Sequence, residues 1–162
     1  MKIKRITSIF LIVIMAFTFT SCLAVRCDYP FEQNIDNVVS VEIRGIHSWT
    51  EKTTYLIKEL EEDDAIAILN DLSNVKCQEL YDESDTCGPV VVYITYDNGE
   101  SEAIGYLSSA HISEDGVWTM KYYYYDATQF AKIVCRYVDS RRVPDLAKLL
   151  PKETFSPIIT EP

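Results

Sequence analysis

Apolar and polar residues alternate over 37–46, where Val39, Val41 and Ile43 are separated by Ser40, Glu42 and Arg44. A two-residue period predicts a strand with one buried face. A shorter strand is expected over 53–58, after a turn containing His47 and Ser48. The period then changes. Ala65, Ile68, Leu69 and Leu72 recur at helical spacing behind Glu61-Glu62-Asp63-Asp64, and the positive end of a helix dipole favours acids in the first turn. The acidic run is therefore read as a helix start and not as a cation site, because calcium loops place oxygen ligands at set spacings around a glycine.

The strongest pattern lies over 89–125. The β-branched and aromatic run Val90-Val91-Val92-Tyr93-Ile94-Thr95-Tyr96 ends at Asp97-Asn98-Gly99-Glu100, and a second break falls at Glu114-Asp115-Gly116. Asn-Gly between such runs predicts a tight hairpin, so strands are expected over 90–96, 101–112 and 117–125 as a meander. Asp126-Ala127-Thr128-Gln129 fits a capping box and opens a helix to about 138, with Phe130, Ala131, Val134 and Val138 on one side. A turn of helix over 145–150 and a proline-rich end follow.

If both hairpin turns have two residues, Val92 lies opposite Gly105, Ile94 opposite Ala103, and His111 opposite Met120. One face then carries Val90, Val92, Ile94, Ala103, Leu107, Met120, Tyr122 and Tyr124, with Trp118 at its edge. The other is mixed, with Tyr93, Tyr106, Tyr123 and Tyr125 among Thr95, Glu102 and Lys121. The expected fold is α+β: an antiparallel sheet of about 4–5 strands, ending in a C-terminal β-meander, with two helices packed on one face.

The start of the chain has a different character. Lys2, Lys4 and Arg5 precede an apolar run over 9–17 and then Phe19-Thr20-Ser21-Cys22. A basic start, a short apolar stretch and small residues before a cut describe a secretory signal peptide, and the run is too short to span a bilayer as a helix. Residues 19–22 resemble the lipobox of bacterial lipoproteins. That resemblance, confined to residues 1–22, implies cleavage after Ser21 and a diacylglyceryl group on Cys22. Two acyl chains anchor stably where one is marginal. The alternative is an ordinary secretory leader, cut for example after Ala24. The expected organisation is a signal peptide over 1–21, a lipid-anchored stalk over 22–37, one domain over 38–150 and a flexible tail over 151–162. The location that follows is the cell membrane, lipid-anchored and facing outside the cytoplasm, with the bilayer as a partner through Cys22.

Composition narrows the function classes. The chain of 162 residues has a formal net charge of −10. Three bases and no acid leave with the leader, taking the charge to −13. Such a chain is not a nucleic-acid binder, since phosphate contacts need clustered Lys and Arg, and an acidic body is repelled by anionic headgroups. Two histidines and five glycines give little material for metal centres or phosphate loops, and no cofactor or metal is expected.

Beyond Cys22 stand Cys27, Cys77, Cys87 and Cys135. Four cysteines outside the cytoplasm allow three pairings. Cys77 with Cys87, flanking a polar loop, is the favoured pair, which leaves Cys27 with Cys135; a buried free thiol at Cys135 stays open. Ser73-Asn74-Val75-Lys76 matches the Ser-x-x-Lys of penicillin-recognising enzymes in two fixed positions only, at a helix end, without a Lys-Thr-Gly. Cys87 with His111 as base would make a thiol–imidazole pair for an envelope cysteine enzyme. The reading that asks least is a non-enzymatic envelope lipoprotein, a binding module for an envelope protein, peptide or glycan, with Tyr93, Tyr106, Tyr123 and Tyr125 as its contact face. A structural subunit of an envelope complex is a third possibility.

Overall fold

The computed structural model describes residues 26–79, 86–121 and 123–151. The leader, Cys22 and residues 152–162 of the expected tail lie outside the described residues. In chain order the elements are β1 (Arg26–Asp28), β2 (Val38–Ser48), β3 (Thr53–Glu59), α1 (Glu62–Ser73), β4 (Lys76–Glu79), β5 (Val90–Tyr96), β6 (Ser101–Ile104), β7 (Ser109–Ile112), β8 (Trp118–Lys121), β9 (Tyr123–Tyr125), α2 (Ala127–Val134) and α3 (Pro144–Ala147). Six strands form an antiparallel sheet in the order β3-β2-β5-β6-β7-β8, and three form a second sheet in the order β1-β4-β9. The architecture is α+β, as the patterning predicts, with more strands than the expected four or five.

The helices form where the signals place them. Acids Glu62, Asp63 and Asp64 fill the first turn of α1, which buries Ile68, Leu69 and Leu72. Asp126 caps α2 by accepting from the Gln129 backbone N–H at 3.0 Å. Both helices pack on one face of the large sheet, where Val41, Ile43, Val92, Ile94 and Ile104 meet Ile68, Leu72, Phe130 and Val134 in the main core. Each large side chain buried here contributes about 1.5–3 kcal/mol.

Both hairpin turns of the meander are one residue longer than expected. Tyr96 N–H donates to the Glu100 carbonyl at 2.9 Å and Ser113 N–H to that of Val117 at 3.0 Å. Each turn therefore holds three residues, ending in Gly99 (φ +83°) and Gly116 (φ +81°) in the left-handed region. Ile94 consequently faces Glu102, and His111 faces Thr119 while Ala110 faces Met120. A one-residue slip moves a strand's side chains to the opposite face. Glu102 thus enters the helix-covered side, while Ala103 and Met120 leave it.

The strand expected over 101–112 is two strands. Gly105 N–H donates to the Ser108 carbonyl at 3.0 Å, turning the chain between β6 and β7. A Cβ on Gly105 would lie 1.8 Å from the Cys87 carbonyl oxygen, so only glycine fits this crossing. After Lys121 the chain leaves the large sheet, and β9 pairs with β4.

The expected stalk is part of the fold from Arg26 onward. β1 pairs with β4, Tyr29 belongs to the main core, and Phe31 packs against it.

Candidate interaction face and buried carboxylate

Glu102 is the focus of a buried polar cluster on the helix side. It is 1% exposed in the middle of β6. Its Oε1 accepts the Tyr29 hydroxyl; Oε2 accepts the Tyr96 hydroxyl at 2.9 Å and the Glu32 backbone N–H at 3.2 Å. Burial pushes its carboxyl up to about 8, against the opposing pull of the Glu32 N–H and the Lys121 ammonium. Lys121 in turn pairs with Glu32. Gln33 donates to Glu100 at 2.7 Å, and Asp97 N–H donates to the Asn37 carbonyl at 2.9 Å. The segment between β1 and β2 is stitched to the large sheet through these bonds. Glu102 is buried, and its bonds to Tyr29 and to the Glu32 backbone hold this segment against the sheet.

The opposite face of the large sheet is different. Val91, Ala103, Ala110, Ile112 and Cys87 form a second, smaller cluster, with Ile46, Trp49, Tyr93, Trp118 and Met120 packed over it and only partly buried. Among the described residues no helix joins this cluster. The sheet curls strongly: Trp49, in the turn between β2 and β3, meets Trp118 of β8 edge to face, with ring centroids 6.0 Å apart. Those residues sit at the two ends of the strand order. The small side chains of Ala103 and Ala110 make room for the large rings above them.

Two cations stand at the rim beside aromatic rings. The Arg44 guanidinium lies 4.2 Å from the Tyr93 ring centroid and also pairs with Glu42. The Lys52 ammonium lies 5.6 Å from the Trp49 centroid. Both tryptophans of the chain thus stand on the face away from the helices, next to a tyrosine, a methionine and an arginine. Aromatic residues, Met and Arg are the types enriched where proteins meet.

The four tyrosines expected to share one face are split by the register and by the change of sheet. Tyr93 lies over the second cluster. Tyr106 packs against the main core, its ring 6.5 Å from that of Phe130. Tyr123 and Tyr125 stand in β9 opposite Glu79 and Cys77. Sequence reasoning missed Trp49 and left Trp118 at an edge. The extra turn residue before β8 is what turns Trp118 to this face, and no local pattern points to Trp49.

Cys87 and His111 are not brought together. Cys87 lies in the second cluster, whereas His111 alternates with Ala110 and Ile112 of that cluster and takes the opposite face beside Glu102. Burial pushes the Cys87 thiol up to about 12, partly offset by its hydrogen bond with Ser108. A thiol held so high is a poor nucleophile. His111 Nε2 is 3.9 Å from Glu100 Oε1. The Ser-x-x-Lys pair is also separated: the Ser73 hydroxyl donates to the Asn70 carbonyl at 2.8 Å, and Lys76 pairs with Asp28.

No disulfide joins Cys77, Cys87 and Cys135 to one another. Cys77 is buried in the main core and Cys87 in the second cluster, so the expected Cys77–Cys87 pair is divided between two apolar clusters. Cys135 follows α2 as its C-cap and packs against the main core. Cys27 stands directly opposite Cys77 in the β1–β4 pair. Among the described residues no group of three or more His, Cys, Asp or Glu side chains is placed to hold a metal ion. No family model, curated protein or solved structure matches this chain.

Proposed function

We propose that the chain is a lipid-anchored protein of the bacterial envelope whose domain binds another envelope protein, without catalysis, through the aromatic face of the large sheet. The observation that supports the contact is the placing of Trp49, Trp118, Met120, Tyr93 and Arg44 together, partly exposed, on the side away from the helices. Arg44 and Lys52 at the rim favour a partner that presents an apolar anchor with acidic neighbours. The lipobox-like residues 19–22 support the anchor. Arg26 already begins β1, four positions after Cys22, so even an extended chain holds the domain within about 14 Å of the acylated residue. A module held that close meets partners at the membrane surface.

Photo-crosslinking in intact cells tests this reading. A benzophenone amino acid is placed at Tyr93 or Trp118, with Lys132 on the exposed side of α2 as control. A discrete adduct with one protein from 93 and 118, absent from 132, supports it. Adducts with polysaccharide would assign the face to a glycan. Identical patterns from all three positions, or none from 93 and 118, would remove the face from the account. Cys22→Ala, with palmitate labelling, tests the anchor separately.

A further inference from the structure

We infer that Cys27 and Cys77 form a cross-strand disulfide that clamps the first strand, next to the lipid anchor, to the body of the domain. The register carries this. β1 and β4 are antiparallel with Arg26 opposite Gln78, Cys27 opposite Cys77, and Asp28 opposite Lys76. Directly opposed residues on antiparallel strands have Cα atoms about 4.5–5.5 Å apart, within the span a disulfide bridges. Cys77 is 1% exposed in the main core, and Tyr29, two residues beyond Cys27, is 5% exposed in the same core. The two other cysteines are placed elsewhere, Cys87 in the second cluster and Cys135 after α2.

The bond suits the position. β1 has three residues and pairs with one neighbour, β4, and backbone bonds at so short an edge fray readily. A covalent link closing the chain from 27 to 77 holds the strand where the anchor would pull on it. Formation is balanced by a thiol–disulfide oxidoreductase outside the cytoplasm, so the inference rests on the extracytoplasmic reading. One cysteine thiolate attacks the oxidoreductase disulfide and gives a mixed disulfide. The second cysteine thiolate displaces the oxidoreductase sulfur, the S–S bond of this chain forms, and the oxidoreductase leaves as a dithiol carrying the two protons and two electrons.

The test is made on mature protein taken from the envelope and alkylated without reduction. Trypsin cuts after Arg26 and Lys76, and cleavage after Glu79 separates Cys77 from Cys87. A linked pair of peptides, one beginning at Cys27 and the other at Cys77, is expected, and is lost on reduction. Alkylated Cys27 and Cys77, or a link of either to Cys87 or Cys135, overturns the inference. Reduction of the wild type and Cys27→Ser should each lower the unfolding midpoint by a similar amount, about 10 °C or more, and Cys77→Ser by more, since it also puts a hydroxyl into the main core. Midpoints unmoved by reduction and by Cys27→Ser also overturn it. Lipid is scored on the same sample: a linked protein without lipid keeps the clamp and removes the anchor, while a lipidated protein without the link does the reverse.

Discussion

The Tyr29 hydroxyl donates to the Glu102 carboxyl across 73 positions of sequence, joining the segment after β1 to the centre of the large sheet. Tyr96 and the Glu32 backbone supply the other donors, so the carboxyl is buried with its hydrogen bonds made. Tyr29→Phe leaves one oxygen short of a donor inside the core. The expected loss is about 1–3 kcal/mol in urea unfolding, and an unchanged midpoint would show that this bond does not hold the segment.

Glu102 also gives the fold a dependence on pH. Its carboxyl is pushed up to about 8 from an ordinary 4.5, so between those values the native state keeps a proton that the unfolded chain has released. Its contribution is complete below about pH 4.5 and is lost as pH rises through 8, amounting to on the order of a few kcal/mol. Urea unfolding at pH 5, 6.5 and 8.5 should show declining stability in the wild type and a flatter profile in Glu102→Gln. Equal slopes in the two proteins would contradict the assignment.

Two glycines should differ sharply when replaced by alanine. At Gly105 the new methyl meets the Cys87 carbonyl, a backbone atom that has no side-chain freedom to yield; the expected cost is about 3 kcal/mol or more. At Gly116 a Cβ meets nothing within 4 Å and only the positive φ is strained, for about 1 kcal/mol. Thermal unfolding of both variants ranks them, and a reversed order would mean that the β6–β7 turn is wrongly placed.

The Cys87 thiol, buried and held near 12, should resist iodoacetamide at pH 8 in native protein and react once the chain is unfolded. Labelling of Cys87 at the rate of a free thiol under native conditions would reopen the cysteine-enzyme alternative.

The helices and the central strands were legible because each is announced locally. Ile68, Leu69 and Leu72 repeat at helical spacing behind three acids, and Asp126 with Gln129 marks the start of α2. The faces of the sheet were not legible. Asn98-Gly99 and Asp115-Gly116 suit two-residue turns as well as three-residue ones, and that single residue decides whether Glu102 or Ala103 enters the core. Gly105 gave no local sign that the Cys87 backbone crosses it. Tyr29 and Cys27 were assigned to a stalk because three residues of β1 carry no period; only pairing with β4, some fifty positions away, makes them part of the domain.

An aromatic face lies partly exposed on the side of the sheet away from the helices. Both tryptophans belong to it, so acrylamide quenching of intrinsic fluorescence in the purified mature protein reads that face directly. Ready quenching, reduced in Trp118→Phe and suppressed when the crosslinked partner is added, is the predicted result. A quenching slope as low as that of fully enclosed tryptophan in the protein alone would contradict it.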